Sequence, residues 1–205
     1  MKNLLLTFVL YSMYSGVVIA PDTFYPRFRY DFTKVNHFEQ WYKFIKHTEG
    51  GYANRPMVED PGGETNKGIT LKTYINYCKE HKFKYKYKNF RNLSDKQVKQ
   101  IAYTAFWKPI GNKLGNTPLT LLLAYSFWGG GGYELVKDMQ RILNLTVDGI
   151  LGEQTILAAN EAGPELFEKL VKCRTKYLRS CKNYRYNPGW EKAITFLENY
   201  NKNTK

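Results

Sequence analysis

The feature that most constrains this chain is a break. An amphipathic stripe begins at Asn36, with Phe38, Trp41, Phe44, Ile45 and Thr48 three or four residues apart, a spacing that places them on one helix face. Gly50 and Gly51 stop it, and a loop rich in Gly, Pro, Asn and Asp runs from Tyr52 to Gly68. Beyond the loop, helical periodicity returns. A helix is predicted over 70–81. Ser94-Asp95-Lys96-Gln97 spells a capping box that opens a helix to about Trp107. Further helices are expected over about 118–128, 134–143 and 165–182, and from Trp190 onward. Four glycines at 129–132, the turn Val147-Asp148-Gly149 and the run Asn187-Pro188-Gly189 separate them. Strand-like alternation is confined to short pieces within 52–70. The expected class is mainly α, with a small β or loop element and a helical C-terminal lobe, and no repeat is visible.

The 205 residues suffice for one sizeable core, or one core with a small lobe. Lys and Arg number 31 against 18 Asp and Glu, and since only Lys2 is charged in the first twenty residues, the rest carries +12. A basic body suits a polyanion: nucleic acid, an anionic membrane, or a cell wall rich in phosphates and carboxylates. Charge alone does not choose among them. Cys78, Cys173 and Cys181 form no CxxC pair, and His37, His47 and His81 form no HExxH motif, so no structural zinc is expected. Cys173 and Cys181 lie in one expected helix, roughly 12 Å apart along its axis, too far to bridge. A disulfide would have to include Cys78; three small buried hydrophobes are the alternative.

Residues 3–20 are uncharged, follow Lys2 and end in small side chains. Residues 1–20 therefore read as a signal or signal-anchor segment. Eighteen residues diluted by Ser, Gly and Tyr barely span a bilayer, and Pro21 directly after Ala20 disfavours cleavage there. An exported, membrane-tethered form is expected, with a cleaved signal or a buried N-terminal helix as alternatives. Residues 21–35, with two prolines and no helical period, read as a linker.

Glu49 is the candidate for chemistry. It ends an apolar helix, and the two glycines behind it leave room for a polymer to approach. The helix C-terminus disfavours an ionised carboxyl, and Tyr52 and the aromatic helix are expected to desolvate it. A carboxyl held protonated near neutral pH can protonate the poor leaving group of a glycosidic bond, usually with a second carboxylate assisting. Taken alone, a Glu before Gly-Gly is an ordinary solvated helix end. Its context is not ordinary. The run Glu49-Gly50-Gly51-Tyr52-Ala53-Asn54-Arg55-Pro56, followed by Asp60-Pro61-Gly62-Gly63-Glu64-Thr65-Asn66-Lys67-Gly68-Ile69-Thr70, resembles the signature of glycoside hydrolase family 108, muramidases found among phage endolysins and secreted bacterial enzymes. Phe106-Trp107 is similar to that family's Tyr-Trp pair. Met139 to Asn144 with Val147 to Gly152 and Thr155 resembles its C-terminal peptidoglycan-binding-type segment, and Arg174 and Gly189-Trp190 match later positions. The resemblance covers about residues 38–195.

The resemblance implies a lysozyme-like α+β fold, with a catalytic region over 36–120 and a peptidoglycan-binding-type helical region over 121–205 packed on it. It implies Glu49 as the acid and Asp60 as the loop carboxylate, although Asp60 reads equally as an Asx-type cap of the Gly-rich turn. Tyr52, Thr65 and Asn66 are the substrate-binding candidates; the latter two either line the cleft or bond the loop backbone. The chain departs from the family pattern twice. The spacing from Pro56 to Asp60 is about two residues longer than usual, so Glu59 is an alternative to Asp60. Tyr125 stands where the family tends to carry Asp, and Gly129 where it carries Asn.

The implied reaction is hydrolysis of the β-1,4 bond between N-acetylmuramic acid and N-acetylglucosamine, in phage lysis or wall penetration. Peptidoglycan is the implied partner, met in the periplasm or wall space by a monomer that needs no metal, cofactor or nucleic acid. A lytic transglycosylase also needs one Glu but leaves a 1,6-anhydro end. A non-catalytic wall-binding or virion structural protein would not need Glu49. Nucleic-acid binding rests on charge only.

Overall fold

The computed structural model describes residues 36–56, 62–187 and 189–203. The segments 1–20 and 21–35 lie outside these residues, as does the stretch 57–61 with Glu59 and Asp60. Helix α1 (His37–Thr48) is the predicted amphipathic stripe, capped by the Asn36 side chain, which accepts from the Glu39 backbone N–H. Strands β1 (Tyr52–Ala53), β2 (Thr65–Asn66) and β3 (Ile69–Thr70) form a small antiparallel sheet in the order β1-β2-β3. Asn66 pairs with Ile69, which leaves Lys67-Gly68 as a two-residue hairpin loop. Both residues have positive φ, 51° and 78°, the left-handed pair that such a turn demands. Helix α2 (Leu71–Glu80) follows directly, capped by Thr70.

Helix α3 (Tyr87–Arg91) is short. Helix α4 (Asp95–Ala102) opens on the capping box read from the sequence, with Ser94 and Gln97 bonded reciprocally. It does not end at Trp107. A π-helical stretch over Tyr103–Trp107 carries it into α5 (Lys108–Leu114). Pro109 follows the π-helical stretch directly, at the start of α5. Helix α6 (Pro118–Trp128) is apolar almost throughout and buried from Pro118 to Ser126, save Leu119. That is the pattern of a helix enclosed on all sides; α1, the π-helical stretch, α5, α7 (Gly132–Ile142) and α9 (Pro164–Ser180) pack around it. Helix α8 (Glu153–Glu161) and α10 (Gly189–Asn203) complete the bundle. The fold is mainly α with a small β element, in the lysozyme-like manner expected.

The turn Val147-Asp148-Gly149 is held from beneath. Buried Gln140 donates to Asp148 Oδ1 at 2.7 Å, Ile150 O at 3.0 Å and Thr155 Oγ1 at 3.2 Å, and accepts from the Gly149 N–H at 2.8 Å. Its polar residues serve the turn itself. Among the described residues α10 returns to α1: Phe44 and Phe196 stack at 4.1 Å, and the Tyr200 hydroxyl bonds His37 Nδ1. Cys78, Cys173 and Cys181 are free thiols, with Cys78 buried.

Candidate active site

Glu49 terminates α1, its backbone N–H bonded to Ile45 O at 2.9 Å, so the acid stands on a rigid element. Its carboxylate Oε1 accepts from the indole Nε1 of Trp128 at 3.0 Å. Trp128 is in turn clamped by rings. Trp41 meets it edge-on at 5.8 Å and Phe106 at 5.0 Å, while Trp107 packs on Trp41 at 5.9 Å. The Phe106-Trp107 pair thus buttresses the residue that holds the acid. On the opposite side lies Gly68. A Cβ there would fall 2.5 Å from the Trp128 ring and 2.7 Å from the Glu49 carboxyl carbon, closer than atoms can pack. The hairpin turn therefore requires glycine twice over, for its φ and for this approach.

A pocket of about 220 Å³ opens beside the acid, lined by Glu49, Gly50 and Gly51 together with Tyr42, Ile45 and Lys46 of α1, Lys67, Asp95, Val98 and Trp128. It contains a second carboxylate that the sequence reading used only as part of a cap. Asp95 is bridged by Lys46 at 2.8 Å and Lys67 at 2.7 Å. The hydrogen bonds and charge of these two lysines hold its carboxyl down to about 2. Asp95 is therefore ionised at neutral pH. Only the tertiary structure reveals this, because Lys46, Lys67 and Asp95 come from three different elements.

The other candidates are placed as follows. Tyr52 is on β1 outside the pocket lining, and the Arg91 guanidinium lies 3.3 Å over its ring. The aromatic contact on Glu49 is Trp128, and Glu49 itself is exposed. Asn66 is buried and its amide donates to Phe90 O at 2.7 Å and Arg91 O at 3.0 Å, which ties the sheet to α3 in the manner of a backbone-bonding residue. Thr65 is half-buried and pairs with Ala53 and Thr70. Tyr125, in place of the family's Asp, has its ring 5.2 Å from the guanidinium of Arg174, which is fully buried and donates to Gly130 O at 2.6 Å. No cluster of His, Cys, Asp and Glu among the described residues is arranged to hold a metal.

Residues 42–128 match the family model described as glycosyl hydrolase 108. Every residue lining the pocket falls within that stretch, whereas the resemblance from Met139 onward lies beyond it. Among solved structures the chain is similar to SagA of Brucella abortus, with a TM-score of 0.62 and 23% identity, covering 80% of this chain and 92% of that one. At that identity the likeness speaks for the fold. No curated protein matches. The segment that builds the pocket, residues 42–128, is therefore the part of the chain that is similar to glycosyl hydrolase family 108.

Proposed function

We propose that the protein is a glycoside hydrolase that cuts peptidoglycan at the β-1,4 bond between N-acetylmuramic acid and N-acetylglucosamine, with Glu49 as general acid. The observation that carries this reading is the position of Glu49. It is held by Trp128, pressed by Gly68 and open to a pocket whose other carboxylate is neutralised by lysines. Protonating a glycosidic oxygen needs a carboxyl able to carry a proton, and Asp95, held ionised to about 2, is unsuited to that. Gly50 and Gly51 line the pocket without side chains, which suits a bulky polymer. A bound strand would itself shield the exposed acid from water, strengthening its electrostatic environment at the moment of cleavage.

The second carboxylate is assigned to Asp60, or to Glu59 if the longer spacing shifts the register; both lie outside the described residues. The setting is export to the periplasm or wall space, with residues 3–20 as a tether, in the lysis of a host by a phage. Reading the N-terminus of the mature protein tests the tether: a dominant species beginning at Pro21 would end it.

Glu49→Gln preserves shape and hydrogen bonding but removes the transferable proton. It should fold normally and lose at least about 100-fold in rate on purified walls. Near-normal turnover by the folded variant would remove Glu49 from the chemistry. Mass spectrometry of the fragments identifies the bond: reducing muramic acid ends support hydrolysis, and 1,6-anhydro ends would make the protein a lytic transglycosylase.

A further inference from the structure

From the end of α2 into the first turn of α3 runs Lys82-Phe83-Lys84-Tyr85-Lys86-Tyr87-Lys88, and all seven residues are exposed. Phe83 rests partly on Tyr77 and His81, and Tyr85 on Tyr74, yet each ring keeps an exposed part. None of the four lysines forms an ion pair among the described residues, whereas Lys46, Lys67, Lys99 and Lys137 elsewhere are paired with acids. Phe83 is 57% exposed, a large apolar area to leave in water.

The segment also starts with a residue in a costly conformation. Helix α2 ends in a Schellman motif, with the Phe83 N–H bonded to Cys78 O at 2.7 Å and the Lys82 N–H to Lys79 O at 3.1 Å. The residue between must be left-handed, and glycine normally takes that position. Here it is Lys82 at φ 56°. A lysine held where glycine fits without strain invites a role for its side chain.

The strip is continuous with the pocket. Tyr87 donates a hydrogen bond to Glu64, and Arg91 on the same short helix covers the ring of Tyr52. Tyr52 follows directly on Gly51, which lines the pocket beside Glu49.

We infer that the 82–88 strip, with Tyr52 and Arg91, is a second binding surface for the acidic glycan strand whose cleavage point lies at Glu49. The lysines meet carboxylates of the strand and the exposed parts of the Phe83 and Tyr85 rings meet its sugars. An acidic glycan is the partner that uses both residue types and leads into the pocket. This inference rests on the peptidoglycan reading above.

The test uses the full chain carrying Glu49→Gln, so that walls are bound and not consumed, and measures co-sedimentation with purified peptidoglycan sacculi across a salt series. Replacing Lys82, Lys84, Lys86 and Lys88 together by Gln should weaken binding about tenfold or more at physiological salt, the sum of several weak exposed contacts. A second variant, Phe83→Ser with Tyr85→Ser, should remove binding that survives high salt. In the active background both should slow cleavage of sacculi and leave turnover of short soluble wall fragments unchanged. Sacculus binding unaltered in both variants would overturn the inference. So would a lysine variant that loses equal binding to sacculi and to phosphatidylglycerol vesicles while the aromatic variant loses none on sacculi, since that marks a surface reading charge only. The peptidoglycan reading fails separately, if sacculi yield no muramic acid ends with the active protein.

Discussion

Asp95 and Gly68 flank Glu49, and each can be tested singly. Asp95 holds Lys46 and Lys67 in place across the pocket without carrying a proton. Asp95→Asn should therefore cost less than Glu49→Gln, about tenfold or below against about 100-fold, with both rates measured on the same wall preparation. Equal losses would place Asp95 in the chemistry. Gly68→Ala inserts a methyl group against both Trp128 and the acid at a φ of 78°. It should lower stability by about 1–2 kcal/mol from the left-handed backbone alone and reduce activity beyond that loss, seen by comparing thermal melts with rates. Glu49 was legible in the sequence because its neighbours in the chain are part of its setting. Trp128 and Asp95 were not, because nothing in a linear spacing says that residues 79 and 46 positions away will close on the same carboxylate or share its pocket.

Elements were legible where their signals are local. Ser94 caps its helix as its capping box predicts, and the helices expected from Asn36 and Thr70 start there with those side chains as caps, because such signals depend on three or four consecutive residues. Helices α3, α5 and α8 escaped. Helix α5 begins at Lys108, directly after the expected end of its predecessor at about Trp107, and the π-helical stretch that joins them has no period to recognise. Helix α8 starts at Gly152 without a side-chain cap. The Asp148 turn shows how an element can be held by one buried side chain. Gln140→Ala would strand the Gly149 N–H and the partners of the lost amide. A penalty of about 1–3 kcal/mol is expected for leaving a buried group unpaired, read by urea unfolding, with rate per folded molecule little changed.

Across the whole molecule, the helix that carries the acid is pinned by α10. His37 is buried, and burial pushes its imidazole down to about 4 from the usual 6.5, while the Tyr200 phenol is pushed up to about 12 and remains a donor to it. Neutral imidazole is thus the folded form. As pH falls below 6.5 the unfolded chain gains a proton that the folded chain refuses, so stability present at neutral pH is lost progressively down to about 4, and no further below. Melting temperature should fall across that window, and His37→Gln should flatten the fall. This long-range pairing of residues 37 and 200 was invisible in sequence. The aromatic framework has one more consequence, an optical one. Of the four tryptophans, Trp41 and Trp107 are buried in the core, whereas Trp128 reaches the pocket with its indole N–H on Glu49. Indole emission shifts with the polarity and charge next to the ring. A strand entering the pocket, or a proton arriving on the acid, would therefore change the colour of Trp128's fluorescence, and the protein reports the occupancy of its own cleft without a dye.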